Sequence, residues 1–274
     1  MVMVAGGDAR FQFSSDQSLL IYFDQPEKEG RAPDRIRDNI RDSISNMVPD
    51  EVGTGGKSAA RALQNQITLQ ANEKIRKLLR LLRLEPVAGV RNLHPAYCSL
   101  LVKFDALRLR HADLEAILRQ YLARLDEIKL PEARLVEIPV CYGGEYGPDL
   151  KEVAAMREMT EAQAIQLHAS AEYLVYFFGF VPGFAYLGEL PEELVTPRLA
   201  TPRKKVRVGS VGIAGNQTGV YPFAAPGGWR LLGRTPVPMF RADRDELSLL
   251  SIGDRVRFTP ISPEQFAELE RACV

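Results

Sequence analysis

The sequence predicts an α+β protein in two parts, a small N-terminal α/β sandwich followed by an all-β half. In the first part, amphipathic helical patterns alternate with pairs of apolar, strand-like runs. In the second part turn-forming residues accumulate, because residues 179–238 hold 10 of the 21 glycines and 8 of the 18 prolines. Such a density is incompatible with helices. The composition, 46% hydrophobic and 26% charged, is typical of a globular protein.

The N-terminal part, residues 1–131, is predicted to run hairpin, helix, hairpin, helix. The first hairpin pairs residues 10–14 with residues 18–23, where apolar side chains alternate with polar ones. Residues 26–66 are charged and polar without a sustained apolar face, so we expect a surface insertion with one or two short helices. The other predicted elements are a helix over 72–84 with Asn72 as N-cap, strands over 90–93 and 99–104, and a helix over 111–125.

The C-terminal part, residues 132–274, begins after Pro131 and is predicted to be a β-barrel or a β-sandwich with long loops. Its one clear helix follows the capping-box pattern of Thr160 and Gln163 and runs to His168. This helix leads into a strand over 172–178. A last strand over 255–259 and a short helix over 263–271 close the chain.

Charge and cysteine usage exclude several classes of protein. The 35 basic and 35 acidic residues cancel, which argues against nucleic-acid binding as the main activity. Three distant cysteines with no C-x-x-C pair predict neither a disulfide framework nor a zinc site, and they fit the cytoplasm. The first residues lack a secretory signal pattern, and the longest apolar stretch, 173–188, is too short and too interrupted to span a membrane.

Two apparent ligand motifs are rejected on spacing. Residues 53–58, GTGGKS, resemble a phosphate-binding loop, but Glu51 stands where that motif requires glycine. We therefore interpret them as a flexible loop. The only histidines, His94, His111 and His168, would all have to converge from both halves to form a three-histidine site, so no metal is predicted.

Polar residues of the second half are the candidates for chemistry. His168 falls in the last helical turn, where the helix dipole favours a protonated ring suited to proton transfer; the alternative is simple capping of the helix end. Arg198 and Arg203 each follow a Thr-Pro pair, which projects them from stiff backbone and suits them to bind carboxylate or phosphate. The alternative is a solvated basic strand.

Two glycine-framed loops, residues 215–222 and 226–229, allow backbone amides to approach a ligand closely. Ordinary hairpin turns explain them equally well. The sequence contains no G-x-S-x-G elbow and no H-E-x-x-H motif, which argues against a hydrolase that acts alone.

A family resemblance is carried by residues 179–236, from GFVPGFAYLGEL to GGWRLLGRTP, and by residues 93–105 and 134–150. These segments are similar to the family of allophanate hydrolase subunit 1, the 5-oxoprolinase B subunits and the kinase-inhibitor (KipI-like) proteins. The resemblance implies that the second part is a cyclophilin-like β-barrel. The chain departs from the family pattern in its 26–66 insertion and at Arg207-Val208, where Pro-Ala is common.

The resemblance also implies a main function and two alternatives to it. As its main function, the chain would be one subunit of an ATP-dependent complex that opens the lactam of 5-oxoproline to glutamate. Its partners would be a sister subunit 2 protein, of the 5-oxoprolinase C type, and a lactam-utilisation protein of the A type, with ATP bound at the level of the complex. The alternatives are a binding protein that inhibits a histidine kinase and a carboxyltransferase half of a urea carboxylase or allophanate hydrolase-type system. Neighbouring genes would discriminate among them.

By the same resemblance, the site lies on one exposed face of the barrel. We expect His168 to transfer protons, Arg203 to bind an acidic group, and Gln217 with Tyr221 to orient the substrate amide. The further expected binding residues are Phe180, Pro182, Gly183, Phe184 and Thr218.

Overall fold

The computed structural model describes residues 9–23 and 57–273, with side chains from residue 69 onward in the second range. The described residues form two compact units, 9–23 with 57–132 and 133–273. The short helices predicted within the insertion up to residue 56 and residues 53–56 of the predicted loop over 53–58 lie outside the described residues. The loop prediction is wrong for Lys57 and Ser58, which belong to a helix.

The first unit is a four-stranded antiparallel sheet with helices packed on one side. The elements are β1 (Ala9–Ser15), β2 (Ser18–Phe23), α1 (Lys57–Leu84), β3 (Val90–Pro95), β4 (Ser99–Phe104), α2 (His111–Ala123) and a 3₁₀ turn (Leu125–Glu127). The strand order is β1-β2-β4-β3. Alternate side chains of β2 and β4, among them Leu19, Ile21 and Val102, are fully buried, and the helices contribute Ile75 and Leu114 to the same core.

Helix α1 is longer than predicted. It begins at Lys57, so the prediction of Asn72 as its N-cap is wrong, and Asn72 is a buried residue of the helix interior. The segment Lys57–Leu84 contains neither glycine nor proline, so nothing in its covalent structure stops the helix at residue 72. Residues 57–66, assigned from sequence to the insertion, form the first turns of this helix.

The second unit is built around a closed barrel of seven strands, which confirms the predicted α+β class with a C-terminal barrel. The barrel strands are β5 (Leu135–Tyr142), β6 (Tyr173–Phe178), β7 (Ala185–Gly188), β9 (Ser210–Ala214), β10 (Gln217–Val220), β12 (Arg230–Arg234) and β13 (Arg255–Pro260). Around the barrel they follow the order β10-β7-β6-β13-β5-β12-β9. Strand β13 runs parallel to β5, whereas the other pairs of neighbouring strands are antiparallel.

The remaining elements of the second unit lie around the barrel. They are α3 (Leu150–Met156), α4 (Glu161–Ser170), α5 (Pro263–Ala272) and the two-stranded sheet of β8 (Arg203–Val206) with β11 (Ala225–Gly227). The predicted capping box is confirmed, because Thr160 and Gln163 bond each other's backbone amides at the start of α4. Helix α4 packs against β13 and delivers its last turn to the barrel interior. No helix within the described residues is long and apolar enough to cross a membrane.

The barrel wall leaves no room for a side chain at Gly147. A Cβ atom there would lie 1.9 Å from the carbonyl oxygen of Leu232 in β12. We expect Gly147→Ala to lower the free energy of unfolding by ~3 kcal/mol, since backbone atoms must move to relieve the clash. Gly228→Ala is the matched control, because its added Cβ would meet nothing closer than 3.6 Å. Urea unfolding of both variants measures the difference, and equal midpoints would contradict the predicted clash.

Candidate functional site

His168 lies at the centre of a buried hydrogen-bond chain inside the barrel. Its ring is fully buried, with Nδ1 2.8 Å from the Tyr142 hydroxyl and Nε2 2.9 Å from the Thr218 hydroxyl. The Thr218 hydroxyl donates its proton to the carbonyl oxygen of Gly212 at 3.1 Å, so it must accept from Nε2–H of His168. The unprotonated Nδ1 then accepts from the Tyr142 hydroxyl. The chain therefore runs in one direction, from Tyr142 to the Gly212 carbonyl.

The imidazole of His168 is neutral. Its ring stacks on Phe258 at a centroid distance of 4.6 Å, and burial lowers its pKa to about 3. The expectation that the helix dipole keeps this ring protonated is therefore wrong, because the loss of hydration on burial outweighs the dipole. Both ring nitrogens are already engaged inside the barrel. The proton-transfer role of His168 stays a prediction, and its surroundings favour a structural one.

Strand β10 separates the predicted site residues into two groups. Successive side chains of a strand point to opposite faces. Thr218 points into the barrel toward His168, so its neighbour Gln217, which pairs with Ala214, faces outward. The core clusters agree, since Val220 belongs to the barrel interior and Ala214 belongs to a separate cluster outside it. His168 and Thr218 therefore do not share the exposed face predicted for the whole set.

An aromatic face covers the outside of the barrel here, and we define it by Phe180, Phe184, Tyr186, Tyr221 and Trp229. Phe184 is its centre, with edge-to-face ring contacts at centroid distances of 5.2 Å to Tyr221 and 5.3 Å to Trp229. Phe180 completes the group at 6.3 Å from Tyr221. Phe180 is 58% exposed, whereas Phe184 and Tyr221 are buried. The face thus presents one accessible ring on a rigid aromatic base.

The turn that carries Phe180 explains the glycine at position 183. Gly183 has φ +78° and an added Cβ would lie 2.7 Å from the Cβ of Phe240, so both conformation and space require glycine. Phe180 itself adopts φ +65°, which L-residues rarely do. Pro182, which lies between them, is exposed. A strained aromatic residue at an exposed turn is more typical of a binding site than of a structural loop.

Arg203, at the start of β8, is held by a carboxylate that the sequence analysis missed. Its Nη2 donates to Oδ1 of Asp149 at 2.6 Å. Its Nη1 is buried and has no hydrogen-bond partner among the described residues, although 30% of the side chain is exposed. An unsatisfied buried donor costs about 1–3 kcal/mol, so Nη1 needs an acceptor, which a bound water or a ligand would supply.

Tyr221 is electrostatically coupled to the same arginine. Burial raises the pKa of its phenol to about 12, and the Trp229 amide, Arg198 and Arg203 oppose that rise. The phenol is therefore protonated at neutral pH and serves as a hydrogen-bond donor. The structure thus brings Arg203, Tyr221, Gln217, Phe184 and the 180–183 turn to the outside of the barrel, in or beside the aromatic face.

Comparison with known proteins identifies the family of this barrel. Residues 53–250 match the family model described as "Carboxyltransferase domain, subdomain C and D". The B subunit of 5-oxoprolinase from Bacillus subtilis (strain 168) is 40% identical over 211 residues, 73% of this chain and 88% of that protein. The chain belongs to this carboxyltransferase-domain family. Its membership also confirms the resemblance to the 5-oxoprolinase B subunits that was identified from the sequence motifs.

Two further comparisons agree with this assignment. The B subunit of 5-oxoprolinase from Escherichia coli O157:H7 is 59% identical over 130 residues, 47% of this chain and 60% of that protein. The crystal structure of the K. lactis urea amidolyase matches with a TM-score of 0.65 and 15% identity, over 99% of this chain and 16% of that chain. The second match shows a shared fold alone.

The buried histidine makes a specific prediction about acid stability. The folded-state pKa of His168, about 3, lies below the ordinary value of 6.5, so the unfolded chain binds a proton there that the folded chain does not. Its contribution to stability is therefore fully present above pH 6.5 and is lost as the pH falls from 6.5 toward 3. Between pH 7.5 and 5.5 the wild type should lose ~1.4 kcal/mol more than His168→Gln does.

Unfolding by urea at the two pH values measures this difference. The control is Tyr142→Phe, which removes one hydrogen bond of the same chain but keeps the titrating imidazole. It should show the acid loss of the wild type. An identical pH dependence of His168→Gln and the wild type would contradict a buried, neutral ring.

Proposed function

We propose that this chain is one subunit of a hetero-oligomeric amidohydrolase that opens the lactam of 5-oxoproline to glutamate at the expense of ATP. The relatives named as 5-oxoprolinase B subunits support the assignment, at 40% identity over 88% of the Bacillus subtilis protein. The structural observation that carries it is the unsatisfied Nη1 of Arg203 beside the protonated phenol of Tyr221. A protein that binds a cyclic amide with one carboxylate needs a cation to pair with the carboxylate and a neutral hydrogen-bond donor for the amide oxygen.

In this proposal the aromatic face binds the substrate. Arg203 donates from Nη1 to the carboxylate, and Gln217 with Tyr221 orients the lactam amide. Phe180 and Phe184 exclude water from one side of the ring, while Pro182 and Gly183 set the turn that carries Phe180. Amide resonance makes a lactam resistant to water. Transfer of a phosphoryl group to the lactam oxygen would weaken the C–N bond before water adds and the ring opens.

The ATP, in this proposal, belongs to the complex. A sister protein of the 5-oxoprolinase C type and a lactam-utilisation protein of the A type are the proposed partners, and they supply most of the nucleotide site. We further propose that the complex works in the cytoplasm, where Cys98, Cys141 and Cys273 stay reduced as the free thiols of the structure.

A second candidate is a carboxyltransferase half that acts on a urea-like substrate. It is supported by the family model, which is that of a carboxyltransferase domain. Transfer of a carboxyl group in such a system requires a biotin carrier on another chain or domain. A gene for a biotin carboxylase beside this one would favour this candidate, and a gene for a lactam-utilisation protein would favour the first.

Reconstitution tests the proposed function directly. The chain is co-expressed with the C-type and A-type partner proteins of neighbouring genes, and glutamate release from 5-oxoproline is measured with and without ATP. We expect ATP-dependent release from the complex and none from the chain alone. Glutamate release by the isolated chain would contradict the proposal that the partner proteins are required. Biotin-dependent carboxylation by the complex would establish the second candidate.

Substitution of Arg203 tests its role as carboxylate ligand. In the active complex, Arg203→Gln should raise KM for 5-oxoproline ~10–100-fold, the equivalent of losing one charge-assisted hydrogen bond. Arg207→Gln is the control, since Arg207 is 66% exposed and makes a long surface ion pair of 3.5 Å with Glu145. Its KM should stay at the wild-type value, because exposed pairs contribute little. Equal effects of the two variants would exclude a specific role for Arg203.

A further inference from the structure

Asp149 joins the Arg203 guanidinium to the barrel wall. It is the N-cap residue of α3 and is only 5% exposed. Its Oδ1 accepts from Arg203 Nη2 at 2.6 Å, and its Oδ2 accepts from the backbone N–H of Leu231 in β12 at 2.7 Å. Both carboxylate oxygens are thus committed, one to the arginine and one to a strand of the closed barrel. The arginine therefore takes its orientation from the most rigid part of the unit.

A second acidic residue of the same helix turn fixes the segment that precedes Arg203. Glu152 pairs with Nη1 of the buried Arg230 at 2.9 Å, and Arg230 Nε donates to the Pro197 carbonyl at 3.0 Å. Arg230 thus holds the start of the segment 197–203 through the Pro197 carbonyl, and Asp149 holds the side chain of Arg203 at its end.

We propose that Asp149 is the positioning residue that aims Nη1 of Arg203 at the carboxylate of the substrate. This inference rests on the proposed function for the identity of the ligand, and on the two hydrogen bonds of Asp149 for the geometry. With Nη2 held by Asp149, rotation of the planar guanidinium is restricted, and Nη1, which has no partner among the described residues, keeps a defined direction in which it can donate to an anion. Asp149 itself does not contact the ligand.

The same pair restricts the class of ligand. Asp149 balances the charge of Arg203, so Arg203 offers a directed N–H donor, and Arg198 is a second cation that acts on Tyr221 of the same site. A singly charged carboxylate accepts such a donor at low desolvation cost, whereas a multiply charged phosphate needs several cations. We therefore expect a small monocarboxylate to suit this site better than the phosphates of ATP.

The chain contains a matched control for this inference. Asp254 is also buried, accepts from Nη2 of an arginine, Arg134, at 2.7 Å, and accepts from a backbone N–H, that of Ser251, at 2.8 Å. Both interactions of Asp254 fall on Oδ2, whereas those of Asp149 fall on different oxygens, so the urea unfolding midpoints of Asp254→Asn and Asp149→Asn are compared before their kinetics. An effect on KM that only Asp149→Asn produces, at a comparable midpoint, cannot come from a general loss of stability.

The decisive experiment measures kinetics in the reconstituted complex. Asp149→Asn should raise KM for 5-oxoproline by about tenfold or more and leave kcat within about twofold, because the lost alignment weakens binding and leaves the chemical step intact. Asp149→Glu should recover part of the affinity. Asp254→Asn should leave both constants unchanged. An equal KM for wild type and Asp149→Asn, or an equal rise in Asp254→Asn, would overturn the inference.

A second measurement separates this inference from the proposed function. The ¹⁵N guanidinium resonances of Arg203 in the isolated chain, assigned with Arg203→Lys, should show restricted rotation in the wild type and in Asp254→Asn. They should average rapidly in Asp149→Asn. If the wild-type complex releases no glutamate, the proposed function fails, and the resonances still decide the role of Asp149. A guanidinium that stays restricted in Asp149→Asn would show that Asp149 does not position it.

Discussion

Closure of the seven-stranded barrel is the constraint on which the rest of the second unit depends. A closed sheet has two faces and no edge, so each strand must divide its side chains between an interior and an exterior. Strand β10 shows the consequence: Thr218 enters the interior while Gln217, its neighbour, faces the outside of the barrel. An interior hydroxyl requires a partner. The imidazole of His168 is one such partner. The histidine that the sequence suggested for proton transfer is therefore part of the barrel core.

The resulting hydrogen-bond chain links four elements of the unit. Tyr142 belongs to β5, His168 to α4, Thr218 to β10 and Gly212 to β9. A buried polar chain of this kind is stabilising only when every member is satisfied, since a half-satisfied network costs more than an apolar core. Here the Tyr142 hydroxyl, Nε2–H of His168 and the Thr218 hydroxyl each donate to one acceptor, and the three bonds follow one another in the same direction. The chain therefore fixes how the last turn of α4 packs against the barrel interior.

The sequence predicted what depends on near neighbours and missed what depends on distant ones. The capping box of Thr160 and Gln163 spans three residues, and its spacing alone identified the start of α4. The dipole argument for His168 was equally local, but burial against Phe258, 90 positions along the chain, decided its charge. Asp149 gave no signal, because its partners Arg203 and Leu231 lie 54 and 82 residues away. Only the closed barrel brings them together.

The groups on the aromatic face define which part of a reaction this chain can perform. At neutral pH Arg203 is a cation and Tyr221, with a pKa of about 12, is a protonated phenol, so both donate hydrogen bonds and neither accepts a proton. Opening a lactam also requires a base for the attacking water and an acid for the departing nitrogen. On the proposed function, the ATP chemistry belongs to the complex, and the acid and the base are groups other than Arg203 and Tyr221. The barrel then contributes binding energy through donors fixed in advance, and that contribution is lost if Arg203 is free to turn.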